Sequence, residues 1–126
     1  MTPKFFVCKA CGGSVMYLNE NFCALRCCGE AMTELVPGTT EAATEKHIPV
    51  FTVDGTKVSV TVGEVEHPML DAHYIEWILI TTDKGRQIRY LKPGEAPKAE
   101  FTLAEGEVLD TVYAYCNLHG LWSAKA

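Results

Sequence analysis

Apolar and polar positions alternate strictly along residues 57–62, where Val58, Val60 and Val62 interleave with Lys57, Ser59 and Thr61. That period of two places one face of a strand in a core and the other in water. The preceding Asp54-Gly55 pair predicts a type I′ hairpin turn into this strand from another over 48–53. Similar β-rich runs occupy 74–82, 87–91, 99–103, 109–115 and 121–124, broken by Asp83-Lys84-Gly85, Lys92-Pro93-Gly94 and Ala104-Glu105-Gly106. Seven short strands with little room for a helix predict a mainly β chain whose larger part is an immunoglobulin-like β-sandwich.

A small, polar stretch from Val36 to Thr44, punctuated by Pro37-Gly38, precedes these runs and predicts a boundary near Pro37. The chain of 126 residues then divides into a segment 1–36 and a domain 37–126. The first falls below the roughly 40 residues at which a hydrophobic core usually suffices, so it calls for a metal or another cross-link. The apolar fraction of 48% and charged fraction of 21% exclude a disordered chain. The longest apolar tract, Trp77-Ile78-Leu79-Ile80, is far short of the ~20 residues of a membrane span. Without a secretory pattern at Met1–Cys8, the expected compartment is the cytoplasm, where thiols stay reduced and six cysteines point to metal ligands before disulfides. The net charge of -5 lies wholly in 37–126, because Lys4, Lys9 and Arg26 cancel Glu20, Glu30 and Glu34. No basic stripe offsets it, which argues against a nucleic-acid partner.

Metal-binding residue types are segregated. Cys8, Cys11, Cys23, Cys27 and Cys28 precede position 29, whereas His47, His67, His73, Cys116 and His119 follow position 46. Cys8-Lys9-Ala10-Cys11-Gly12-Gly13 is a Cys-x-x-Cys knuckle, and Cys27-Cys28-Gly29 supplies a second half. Four thiolates suit tetrahedral zinc or iron, between which the sequence does not choose. Adjacent cysteines are expected to strain the angles at one ion, and Cys23 reads as a spare thiol.

In the second part, Cys116-Asn117-Leu118-His119-Gly120 places a thiol and an imidazole in one turn, His67-Pro68 and His73-Tyr74 bracket a loop, and His47-Ile48-Pro49 opens the sandwich. Convergence of these groups gives too many ligands for structural zinc and donors too soft for magnesium or calcium, so ferrous iron is the better match. Blue copper, the nearest competitor, needs an axial methionine, and none follows His119.

Cys8-x-x-Cys11, Cys27-Cys28-Gly29, Glu45-Lys46-His47-Ile48-Pro49, His67-Pro68-Met69, His73-Tyr74-Ile75-Glu76-Trp77-Ile78 and Cys116-Asn117-Leu118-His119-Gly120 together resemble the desulfoferrodoxins, two-iron superoxide reductases, over nearly the whole chain. The resemblance implies a small desulforedoxin-like domain over 1–36 that holds a ferric ion (Fe3+) through Cys8, Cys11, Cys27 and Cys28. It implies a superoxide reductase sandwich over 37–126, with an Fe2+/Fe3+ ion in a plane of His47, His67, His73 and His119 and Cys116 on the axis. The position opposite sulfur is then the place where superoxide is reduced to hydrogen peroxide without evolution of oxygen. Glu45 resembles the family residue that closes that position after oxidation, and Lys46, beside His47, is the cation that would attract the anionic substrate. A rubredoxin-type electron donor and a homodimer are likewise implied. Two readings from other classes remain: a saturated electron carrier, and a colourless zinc-ribbon module on a sandwich.

Overall fold

Short strands knit the first unit, Met1–Val36. In the computed structural model, which describes residues 2–40 and 42–126, strand β1 (Phe5–Val7) lies between β2 (Ser14–Met16) and β5 (Thr33–Leu35), antiparallel to both. A two-residue ladder joins β3 (Arg26–Cys27) to β4 (Glu30–Ala31). Apart from Pro3, the buried side chains described here are Phe5 and Cys8, so apolar burial contributes little to this unit's stability. Met1 and Glu41, the latter within the predicted linker, lie outside the described residues.

The second unit, Pro37–Ala126, includes one helical turn, α1 (Thr44–His47), and seven strands. These are β6 (Pro49–Asp54), β7 (Lys57–Val62), β8 (Ile75–Thr82), β9 (Arg86–Tyr90), β10 (Lys98–Thr102), β11 (Leu109–Cys116) and β12 (Gly120–Lys125). Each strand expected from the hydrophobic pattern forms, with ends displaced by one residue at most. One sheet runs β10-β7-β6 and the other β12-β11-β8-β9, with antiparallel neighbours throughout. Val58, Val60, Val62 and Phe101 of the first sheet belong to one buried cluster with Ile78, Ile80, Val112 and Ala114 of the second. The valine alternation is therefore the inward face of β7.

Three local features depart from the sequence expectation. The β6–β7 hairpin closes on the Asp54↔Lys57 pair, leaving Gly55-Thr56 as the loop. Only Gly55, at φ 62°, lies in the left-handed region there. Type I′ needs two such residues, so the turn has the type II′ pattern with glycine first. The short helix α1 was not expected, because four residues are too few to give a helical period. Finally, β11 pairs Tyr115 with Trp77 and Cys116 with Ile75, which leaves Glu76 unmatched in a β-bulge. The extra residue shifts the parity of β8, so Ile75 joins Ile78 and Ile80 in the core. It falls where Cys116 leaves the sheet.

Candidate metal centres

Cys8, Cys11, Cys27 and Cys28 come together in the first unit with their sulfurs all within 4.8 Å of one another. The first knuckle follows β1: the Gly12 amide donates to the Cys8 carbonyl at 2.7 Å, and the Cys8 amide to the Gly13 carbonyl at 2.8 Å. The turned backbone then aims the Gly13 amide at Cys11 Sγ, 3.4 Å away. Cys27 closes β3, and Cys28 begins the turn to β4 with φ 53°, followed by Gly29 at 78°. Cys27 Sγ lies 3.7 Å from Cys11 Sγ and 3.8 Å from Cys28 Sγ. A tetrahedron with arms of about 2.3 Å has edges near 3.8 Å, so the adjacent cysteines meet this spacing. The Cys28 backbone lies in the left-handed region, which a β-carbon makes unfavourable.

Four thiols at such spacing cannot all ionise unaided. The Cys11 backbone amide draws the Cys8 thiol down to about 7, while hydrogen bonding with Cys8, then with Cys11 and Cys28, pushes Cys27 up to about 12. A metal cation removes that conflict by holding all four as thiolates. Cys23 is exposed and outside the group, and the six cysteines are all free thiols. The Cys23 backbone is instead tied to Tyr17, whose hydroxyl donates to its carbonyl at 2.6 Å and accepts from its amide at 3.0 Å.

The second group assembles at one end of the sandwich. His47 ends α1, His67 follows β7, His73 stands two residues before β8, Cys116 ends β11 and His119 occupies the turn into β12. The imidazole centroids form a near-square with sides of 4.6 Å (His47–His67), 4.7 Å (His67–His73), 5.0 Å (His73–His119) and 5.0 Å (His119–His47). Adjacent rings are nearly perpendicular, and the opposed His47 and His73 rings lie 6.4 Å apart at 29°. Half that diagonal is 3.2 Å, the reach of a ring whose nitrogen stands about 2.1 Å from a shared ion. Cys116 Sγ lies within 4.8 Å of the nearest nitrogens of His47, His67 and His73, and 3.9 Å from His119 Nδ1.

Hydrogen bonds to carbonyls select the inward nitrogens. His47 Nδ1–H donates to the Ala43 carbonyl and His67 Nδ1–H to that of Pro68, each at 2.7 Å. Both Nε2 atoms therefore carry lone pairs, and they face each other at 3.1 Å. Burial lowers the pKa of His67 to about 4 and also lowers those of His47 and His73, so the rings are neutral near pH 7 and no proton bridges the pair. His119 Nδ1 lies 3.2 Å from His47 Nε2, and His73 Nε2 is buried without a hydrogen-bond partner. Converging lone pairs and an orphaned nitrogen are what a cation would satisfy. Burial pushes the Cys116 thiol up, and the His119 and Leu118 amides act in the opposite direction. The donor set of imidazoles and one thiolate suits a transition metal and excludes calcium or magnesium.

Glu45 and Lys46 are exposed residues of α1 beside His47. After burial and the neighbouring imidazoles, the Lys46 charge also contributes to the lowered pKa values of His47 and His73. The Glu45 carboxylate belongs to neither ligand group; it lines a surface depression with Thr44, Ile48, Val50 and Glu64. Two supporting residues were not singled out from the sequence. Trp122, 2% exposed, packs 5.0 Å from the His47 ring and donates from Nε1 to the His119 carbonyl at 3.0 Å. Asn117 bonds to both chain neighbours of His73. A tryptophan in a strand and an asparagine in a turn are ordinary in those settings, so only their adjacency to suspected ligands could have marked them.

The desulfoferrodoxin family profile matches residues 39–125. A desulfoferrodoxin homolog of Archaeoglobus fulgidus is 44% identical over 121 residues, covering 96% of this chain and 95% of its own. The crystal structure of the superoxide reductase from Treponema pallidum superposes with a TM-score of 0.84 at 37% identity, over 99% of this chain and 100% of that one. The superoxide reductase (1Fe-SOR) from Giardia intestinalis gives a TM-score of 0.57 at 33% identity, over 65% of this chain and 97% of its own. With two metal-ligand groups on a mainly β scaffold, and with similarity extending across both units, the chain belongs to the desulfoferrodoxin family.

Proposed function

We propose that the protein is a superoxide reductase of the cytoplasm, organised as a desulforedoxin-like domain over 1–36 and a catalytic domain over 37–126. The observation that carries this reading is the near-square of four imidazoles beside the buried Cys116 thiol, with the His47 and His67 lone pairs directed inward. His47, His67, His73, His119 and Cys116 would hold iron there, and Cys8, Cys11, Cys27 and Cys28 would hold a second, ferric iron. Ferrous iron held by the histidine group would supply the single electron that superoxide accepts, and a rubredoxin-type donor would return it. Superoxide, that electron and two protons balance as hydrogen peroxide, with no oxygen released.

The remaining work belongs to the chain. The Ala43 and Pro68 carbonyls hold His47 and His67 in the tautomer that turns Nε2 inward. The Leu118 and His119 amides favour the Cys116 thiolate against its burial. Lys46 draws the anion toward a net acidic domain, and by the family resemblance Glu45 would lend its carboxylate to the oxidised ion. The resemblance also supports a homodimer.

The test is anaerobic mixing of the reduced, metal-analysed protein with superoxide while peroxide and oxygen are measured. One peroxide per superoxide consumed, with no oxygen, is expected. Oxygen evolution in the proportion of dismutation overturns the proposal.

A further inference from the structure

Asn117 sits between Cys116 and His119, and its side chain reaches across to the loop that carries His73. Its Oδ1 accepts from the Tyr74 amide at 2.9 Å, and its Nδ2 donates to the Ala72 carbonyl at 3.0 Å. The Asn117 amide adds a 3.2 Å bond to the Tyr74 carbonyl. Ala72 and Tyr74 are the chain neighbours of His73, so one carboxamide grips the backbone on both sides of that histidine. A carboxamide is suited to this because it accepts and donates at once; an aspartate keeps the acceptor alone and an alanine neither.

His73 also depends on this grip more than its partners do. His47 and His67 are fixed through Nδ1 to carbonyls, and the His119 backbone is held by Trp122. Among the described residues no hydrogen bond reaches the His73 ring, and its buried Nε2 has no partner. Its place in the square is set through its backbone. The Leu70 amide donates to the His73 carbonyl at 2.9 Å and the His73 amide to the Leu70 carbonyl at 3.1 Å, closing a turn in which Leu70 is 64% exposed. Asn117 is what ties that turn to the strand end bearing Cys116.

We propose that Asn117 is the positioning residue for His73, locking the loop of one ligand to the turn of two others and so setting how tightly the histidine group holds its ion. The effect on iron rests on the functional reading above, while the clamp itself does not.

The test uses the full chain. Metal-free parent and Asn117→Ala are titrated anaerobically with ferrous ion against a competing chelator, and exchange of the Tyr74 amide is followed in the metal-free proteins. The second-site affinity should fall about 10- to 100-fold, the usual loss when a group supporting a ligand is removed. The four-cysteine site should bind as in the parent, and the Tyr74 amide should exchange faster. Affinity within about twofold of the parent, well short of that range, overturns the proposal, as does equal protection of Tyr74. If Asn117→Ala does not fold, Asn117→Asp carries the affinity arm: loss of the Ala72 bond should weaken the site, and parental affinity overturns the clamp. A parent chain that takes up no iron at the histidine group sinks the ferrous reading, and Tyr74 exchange then decides the clamp alone.

Discussion

Two backbone carbonyls, those of Ala43 and Pro68, determine which nitrogens His47 and His67 present to the centre of the square. An imidazole free to choose its tautomer would sacrifice part of its affinity for an ion; these two cannot. Lys46 acts at the same scale through charge. The domain it belongs to carries all of the chain's net -5, so an approaching anion meets repulsion everywhere except near such a cation. Lys46→Ala should slow the second-order reaction with superoxide by about tenfold or more at low salt and flatten its ionic-strength dependence. Pulse radiolysis measures both, and an unchanged rate and slope would remove Lys46 from the approach path. Its charge also opposes protonation of His47 and His73, after the larger effect of burial, helping to keep those lone pairs available.

The helix α1 brings His47 to the site, with Glu45 and Lys46 beside it in sequence, and its seat is the backbone after β7. The Val65 amide donates to the Glu45 carbonyl at 3.0 Å. A β-carbon at Gly63 would fall on that carbonyl and stand 2.7 Å from the Lys46 carbonyl carbon. These are backbone atoms, which cannot rotate away as a side chain can. Gly63→Ala should therefore cost about 1–3 kcal/mol of stability in denaturant unfolding, the usual cost of overpacking, and should weaken iron binding at the histidine group. Parental stability would show that α1 moves freely. The close approach was invisible in sequence, whereas the seven strands were legible because Val58, Val60 and Val62 alternate and Asp-Gly, Lys-Pro-Gly and Glu-Gly sequences punctuate the runs. The Glu76 bulge was not legible, since a bulge depends on how many residues oppose it. Which cysteines and histidines gather could be read from spacing and family resemblance. The inward nitrogen of each ring, the Trp122 bond to His119 and the reach of Asn117 could not, because they depend on backbone groups that only the folded chain brings near.

The two units rest on different sources of stability. The second has a continuous apolar core between its sheets, whereas in the first Phe5 and Cys8 are the buried hydrophobic side chains. At that size metal binding and folding are one equilibrium. Cys27→Ser should remove the first ion, abolish amide protection in 1–36 and leave protection of the β7, β8 and β11 cores intact, as metal analysis and hydrogen exchange would record. A first unit equally protected without its ion would show that its short strands suffice. The cysteine group draws on residues 8–28, but the histidine group on residues 47–119 of a 126-residue chain. During synthesis, the amino-terminal centre can thus be charged while the ribosome is still elongating. The other must wait until His119 has been added, so a product cut short before that residue can hold a metal among its cysteines yet has nowhere to perform the reaction.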